Sequence, residues 1–145
     1  MKKLIILLAI VFLSGCGLLD KANSTLQYVN EMTDYINEAD KFANDIPQLV
    51  DEATQNPENV QALEDRLLSM KTEIEEVNEL EPPGVAEDLH NKVLGYNEQA
   101  LEGINLALNQ IENGTIDPSF LENSELLTTI DEIREIKSNL ESLGN

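Results

Sequence analysis

The chain has 145 residues, with 28 acidic side chains against 9 basic ones and a formal net charge of −19. This charge argues against binding to nucleic acid, anionic lipid or wall polymers, because all of these carry negative charge themselves. Aromatic residues make up only 4% of the chain and tryptophan is absent, which weighs against a carbohydrate-stacking or base-stacking surface.

The first sixteen residues have the pattern of a bacterial lipoprotein signal. Lys2 and Lys3 precede residues 4–13, an unbroken apolar run of ten residues. A helix of this length spans about 15 Å, half of a hydrocarbon core, so the run suits a signal peptide better than a transmembrane helix. The motif Leu13-Ser14-Gly15-Cys16 then resembles a lipobox, in which the cysteine thiol receives a diacylglyceryl group.

We expect cleavage before Cys16 to remove residues 1–15 as a signal peptide and to leave a lipidated N-terminus. Residues 16–23 would form this N-terminus and a short tether, which spans at most about 25 Å when extended. The alternatives are a plain secretory signal with a chance cysteine, or an uncleaved anchor. The first fifteen residues contain two lysines and no acid, so the mature chain would have 130 residues and a net charge of −21.

The compartment follows from the same signal. We expect the protein on the extracytoplasmic face of the cell membrane, held there by lipid on Cys16. Cys16 is the only cysteine, so lipidation leaves no thiol for a disulfide, and packing alone must stabilise the fold.

Residues 24–145 are predicted to form one helical domain. The first helix has an apolar stripe with alternating spacings of three and four residues: Val29, Met32, Ile36, Ala39, Ala43, Ile46, Val50 and Ala53. Pro47 interrupts it, because proline lacks a backbone donor and clashes with the preceding helical turn. We expect a kink or a new start there, with Asp45 as the cap.

Proline and glycine mark the remaining helix boundaries. Each predicted turn combines one of them with a capping residue or a helix end: Asn56-Pro57, Glu81-Pro82-Pro83-Gly84, Asn113-Gly114 and Asp117-Pro118. The third helix is expected to begin near Gly84 or Val85. A further break at residues 122–124, with Ser124 as the new cap, is expected before the last helix.

Each remaining helix also carries an apolar stripe at helical spacing. The stripes are Val60, Leu63, Leu67, Met70, Ile74 and Val77; Leu89, Val93, Tyr96, Ala100, Ile104, Ala107 and Ile111; and Leu127, Ile130, Ile133, Ile136, Leu140 and Leu143. Leu94, Leu101 and Leu108 widen the third helix's stripe, so we expect that helix to be the most buried. The predicted fold is all-α: an antiparallel up-and-down bundle of about four helices, the first kinked near Pro47.

The residue inventory offers little for catalysis. His90 is the only histidine, and no nucleophile motif, phosphate-binding loop or calcium loop is present. Glu87 and His90 are three residues apart, as in helical di-iron sites, but those sites need two such pairs and two more glutamates. We therefore expect a surface histidine near a helix start, no metal or cofactor, and no enzymatic activity.

Three segments of the chain are similar to a known group of proteins. Residues 28–39 (YVNEMTDYINEA), residues 44–47 (NDIP) and residues 80–83 (LEPP), with Leu89-His90 beyond, resemble small uncharacterised lipoproteins of Gram-positive bacteria. That group is a domain of unknown function, so the resemblance implies lipid on Cys16 and no particular activity.

The leading functional hypothesis is a monomeric, membrane-anchored module of the cell envelope. It would bind or scaffold another envelope protein without catalysing a reaction. Its lipid would also attach it to the membrane. The alternative is a cation- or basic-ligand-binding protein that uses the acidic face of residues 73–81, which contains Glu73, Glu75, Glu76, Glu79 and Glu81. An enzyme is the least favoured class.

Overall fold

The computed structural model describes residues 16–119 and 125–143, and all regular structure within them is helical. Four α-helices are present there: α1 (Cys16–Gln55), α2 (Val60–Asn78), α3 (Glu87–Glu112) and α4 (Leu126–Leu143). Short 3-10 turns, Pro57–Asn59 and Gly84–Ala86, lead into α2 and α3. The all-α class is therefore confirmed. The predicted signal peptide (1–15) and the predicted break at 122–124 lie outside the described residues.

The helices pack in a ring in which α1 contacts α2 and α4, and α3 contacts the same two helices. Asn37 on α1 is bonded to Lys137, and Asp40, further along α1, pairs with Arg134, earlier on α4. Residue numbers thus rise on one helix as they fall on its neighbour. This is the contact order expected of antiparallel neighbours in an up-and-down bundle.

The centre of the core is α1. Five of the largest fully buried side chains come from it, namely Met32, Tyr35, Ile36, Phe42 and Ile46, whereas α3 contributes only Ile104 to the same group. The prediction that the third helix is the most buried is therefore wrong. The added stripe of Leu94, Leu101 and Leu108 is only half-buried, because α3 turns part of that side toward solvent.

Pro47 lies inside α1, and the helix continues past it. The predicted restart with Asp45 as its cap is thus wrong, while a bend at this point stays a prediction. Ile46 and Val50, on either side, are fully buried, so their packing offsets the cost of a proline inside a helix, about 3 kcal/mol for the lost hydrogen bond and the ring clash together. Asp45 instead pairs with Arg66 of α2, its carboxylate 3.2 Å from the guanidinium Nε.

Local capping chemistry explains the other helix boundaries. The side chain of Asn56 accepts a hydrogen bond of 3.0 Å from the backbone N–H of Glu58, as predicted for an N-cap. The α3 helix ends at Glu112 with Asn113 as its cap, and the next residue, Gly114, has a φ of +69° that favours glycine. The N–H of Gly114 bonds to the Ile111 carbonyl and that of Thr115 to the Gln110 carbonyl, both at 2.9 Å, which is a Schellman motif.

The α1 helix begins at Cys16, earlier than the sequence predicts. Residues 17–23, predicted as a short tether, are the first turns of α1. Seven helical residues rise only about 10 Å, well below the extended limit. None of the helices in the described part of the chain is both long enough and apolar enough to cross a membrane.

Candidate functional site

The predicted lipid attachment residue, Cys16, is the first residue of α1. A lipid there would sit directly at the end of the longest helix of the bundle. Lipidation of Cys16 stays a prediction, because it concerns a covalent modification and the removal of residues 1–15.

His90 is buried, so the prediction of a surface histidine is wrong. Only 4% of its surface is exposed, and its Nδ1 lies 3.1 Å from the hydroxyl oxygen of Tyr28 on α1. The two rings meet edge to face, with 5.8 Å between their centroids. The His90 ring faces the bundle interior, whereas the side chain of Glu87 is exposed to solvent.

A second polar contact lies one heptad further along both helices. The hydroxyl of Tyr35 donates to the side-chain oxygen of Asn97, and the amide nitrogen of Asn97 donates to Asn78 of α2 at 2.7 Å. Tyr35 and Asn97 are both buried. We call Tyr28, His90, Tyr35, Asn97 and Asn78 the polar ladder. It joins the diagonal helices α1 and α3, whose contacts advance together as in parallel helices.

The ladder groups are uncharged near neutral pH. Burial raises the pKa of Tyr28 to about 12 and lowers the pKa of His90 below the usual histidine value. Burial also raises the pKa of Tyr35, with a further contribution from the negative charge of Glu73. Neutral, mutually bonded side chains in the bundle interior position the helices against one another.

The acidic face proposed as the alternative site is not a single cluster. Glu73 is half-buried toward α1, where burial and the neighbouring charges of Glu76 and Glu38 raise its pKa. Glu75 and Glu76 are exposed on the surface of α2, and Glu79 is exposed just past its end. Across residues 16–119 and 125–143, no three carboxylate, histidine or cysteine side chains are close enough together to hold a metal ion.

A trough, which we call the α3 groove, runs along the outer side of α3. It has a volume of about 670 Å³ and is lined by Leu94, Glu98, Leu101, Glu102, Asn105, Leu106 and Asn109 of α3 and by Asn78 of α2. Leu94 and Leu101 are half-buried, while Leu106, about 140° around the α3 axis from Leu101, has 56% of its surface exposed. On the α2 side, the Lys71 ammonium donates a hydrogen bond of 3.0 Å to the side-chain oxygen of Asn105.

The α3 groove is acidic as well as apolar. Glu98 and Glu102 are exposed, and neither pairs with a lysine or arginine among the described residues. The furrow between α1 and α4 differs, because there Arg134 pairs with Asp40 at 2.8 Å and with Asp131 at 2.7 Å. The α3 groove thus holds one exposed leucine and two carboxylates without a salt bridge, while the Lys71 ammonium is bonded to Asn105 at the same groove.

Sequence reasoning missed both the ladder and the groove. A signal for the ladder exists, since Tyr28 and Tyr35 are seven residues apart, as are His90 and Asn97, and such spacing places them on one helix face. The signal for the groove is Leu106, an apolar residue outside the predicted stripe of the third helix. Neither pattern shows by itself which helices meet, and this pairing decides what is buried.

Comparison with known proteins places the chain in a family. A protein from Bacillus subtilis (strain 168), described as the uncharacterised lipoprotein YybP, is 32% identical over 130 residues, which cover 90% of this chain and 88% of that protein. No solved structure matches the chain. A model of a family of unknown function, DUF6376, matches residues 28–143, from the first ladder tyrosine to the end of α4. The chain therefore belongs to the DUF6376 family of unknown function.

Proposed function

We propose that the protein is a lipoprotein of the cell envelope, anchored by lipid on Cys16, that binds another envelope protein without catalysing a reaction. The anchor is supported by the Leu13-Ser14-Gly15-Cys16 motif behind an apolar run of signal length. The similar Bacillus subtilis protein, itself described as a lipoprotein, supports it independently.

The α3 groove is the single observation that carries the binding role. Leu106 is a large apolar side chain with 56% of its surface exposed, beside half-buried Leu94 and Leu101 and the free carboxylates of Glu98 and Glu102. Isolated exposed leucines are common on protein surfaces, whereas apolar side chains that share one depression with polar neighbours mark interaction surfaces.

The non-catalytic part of the proposal is supported by what the chemically versatile side chains do. His90 is enclosed and bonded to Tyr28, so it has no direct access to a bound molecule. Arg66 is held by Glu38 and Asp45 at 3.0 and 3.2 Å and lies over the ring of Phe42. These groups stabilise the bundle. The exposed residues therefore favour a role in surface recognition.

The anchor is tested by metabolic labelling with a fatty-acid analogue, followed by membrane fractionation. We expect the wild-type protein to be labelled and recovered with the membrane, and Cys16→Ser to be unlabelled and incompletely processed. Equal labelling of both proteins would refute lipidation at Cys16. Calorimetric titration with divalent cations tests the alternative, since saturable heat abolished by Glu73→Gln would favour a cation-binding protein.

A further inference from the structure

We propose that the first turns of α1, residues 16–27, lie in the interface of the membrane that holds the Cys16 lipid. An apolar face of these turns would insert among the lipids, and the α1–α4 side of the bundle would then face the bilayer. This inference rests on the lipid anchor of the proposed function and adds a second membrane contact, which sets the orientation of the bundle.

The sequence of these turns is amphipathic when it is placed on the helix. At about 100° per residue, one arc of about 100° contains Leu18, Leu19, Ala22 and Leu26, which we call the N-terminal stripe. The charged and amide residues of the segment lie outside this arc, namely Asp20, Lys21, Asn23 and Gln27. Helices with one apolar face and one polar face lie along a boundary between apolar and aqueous surroundings.

The N-terminal stripe does not continue the core-facing side of α1. Leu26 lies about 140° around the helix from Ala39, which is fully buried. Positions 21 and 24 lie at the same angles as Ala39 and Phe42, about five turns later, yet they hold Lys21 and Ser24. Leu26 has 49% of its surface exposed. The bundle therefore leaves Leu26 uncovered, and the stripe calls for a partner outside the bundle.

A lipid on Cys16 makes the membrane the nearest apolar surroundings. Leu26 follows Cys16 by ten residues, a rise of about 15 Å along the helix. An upright α1 would hold Leu26 at that height in water, whereas an inclined α1 brings the whole stripe to the boundary of headgroups and acyl chains. The charges of Asp20 and Lys21 cancel, so anionic lipid does not repel this segment as it repels the acidic bundle.

The angle of the stripe decides which side of the bundle faces the membrane. Leu26 lies within about 20° of Asn37 and about 40° of Asp40 around α1. Asn37 is bonded to Lys137 and Asp40 to Arg134, both on α4. Insertion of the stripe therefore turns the α1–α4 pair toward the bilayer. The α2–α3 pair, which lines the α3 groove, then points away from the membrane, where a partner can reach it.

The test uses the mature lipoprotein in liposomes of phosphatidylcholine and phosphatidylglycerol, with acylation of Cys16 verified by mass spectrometry. Cys16 is the only cysteine, and its thiol would carry the lipid, so one introduced cysteine can be spin-labelled selectively. Power saturation compares collisions of the label with oxygen, which partitions into lipid, and with a nickel chelate, which stays in water. Leu26→Cys should place its label about 5–10 Å into the interface, and Gln27→Cys, about 100° around α1, should place it in water.

Two double variants separate the stripe from the lipid. Leu18→Ser with Leu19→Ser should move the label at residue 26 into water while Cys16 stays acylated. Asn23→Ser with Gln27→Ser changes two positions outside the stripe and should leave that label immersed. Circular dichroism verifies that the bundle is folded in both.

The orientation is tested with dyes at Ser138→Cys and Thr72→Cys. Both positions are exposed, the first on α4 and the second on α2. Energy transfer to a headgroup-labelled lipid should be stronger from Ser138, and equal transfer from both would contradict the orientation.

Three further outcomes would overturn the inference. Equal water exposure at residues 26 and 27 in acylated protein would refute the second membrane contact and leave the lipid anchor standing. A label at residue 26 shielded from both oxygen and nickel, with energy transfer between copies, would identify a second copy as the occupant of the stripe. Absence of any acyl chain on Cys16 would refute the anchor and the inference together.

Discussion

At the scale of single residues, the informative positions are the polar side chains inside the bundle. A buried hydrogen-bonding group is stable only when its partner is present, so Tyr28 and His90 are coupled across α1 and α3. Any other rotation of either helix would separate them and leave both buried without a partner. The ladder therefore selects one arrangement of an otherwise apolar core, as buried polar groups do in other helical assemblies.

Tyr28→Phe should lower the free energy of unfolding by about 1–3 kcal/mol, because the ring still fills its space while His90 loses its hydrogen bond. Urea unfolding followed by circular dichroism measures the change. The double variant Tyr28→Phe with His90→Leu, which removes both polar groups, should cost less than the sum of the two single variants. Strictly additive losses would show that the contact contributes nothing.

His90 should also make stability depend on pH. Burial lowers its pKa, so the unfolded chain takes up the proton at a higher pH than the folded protein. Stability is therefore fully present above the ordinary histidine pKa of about 6.5 and is lost as the pH falls through that value toward the lowered one. Unfolding free energies between about pH 5 and pH 8 should show this loss in the wild type and a flatter profile in His90→Gln.

Glu73 changes the pH dependence of stability in the opposite direction. Its pKa is raised in the folded state, so the folded protein binds the proton more firmly than the unfolded chain, and this contribution favours folding as the pH falls. Both proteins in that comparison retain Glu73, so the difference between their profiles belongs to His90. Identical profiles would contradict a buried, neutral histidine.

At the scale of the helices, α3 has two different sides. Ile104 is fully buried in the core, whereas Leu106, two residues on, is exposed in the α3 groove. This contrast separates residues that maintain the fold from residues available for binding.

Ile104→Ala should reduce the free energy of unfolding by about 2–5 kcal/mol, because it leaves a cavity in a packed interior. Leu106→Ala is the matched control and should change it by less than about 0.5 kcal/mol, as an exposed substitution does. Chemical denaturation of the two variants gives both values. A cost at Leu106 equal to that at Ile104 would show that the groove is part of the core.

Gly114 and Gly95 should respond to alanine with opposite signs. Gly114 ends α3 at a φ of +69°, so Gly114→Ala should destabilise the protein by about 1 kcal/mol. Gly95 is exposed within α3 and a methyl group there meets nothing within 4 Å, so Gly95→Ala should stabilise it by up to about 1 kcal/mol. Thermal unfolding distinguishes the two, and changes of the same sign would contradict the helix end.

Local signals explain why much of the fold could be predicted from the sequence. Asn56 and Gly114 act on backbone within a few residues, and Asp117 likewise accepts from the N–H of Ser119 at 2.9 Å. The continuity of α1 through Pro47 and the burial of His90 depend on contacts with other helices. His90 meets Tyr28 across 62 residues, a separation at which spacing along the chain carries no signal.

At the scale of the whole molecule, charge and anchoring act together. The packed interior uses the apolar stripes, so the surface that remains is strongly acidic, with a formal net charge of −19 for the chain. A lipid on Cys16 would attach at the first residue of α1 and hold the bundle close to the bilayer. A partner protein near the membrane would then meet the α3 groove at high effective concentration.

The most direct measurement is site-specific photocrosslinking in cells that express the full-length protein. A photoreactive residue placed at Leu106 reports on the α3 groove, and one at Ser138, exposed on α4, reports on another face. We predict that Leu106 yields a discrete crosslinked protein, which is lost with Glu98→Gln and Glu102→Gln, and that Ser138 does not. Equal crosslinking from both positions, or from neither, would contradict a binding module that acts through this groove.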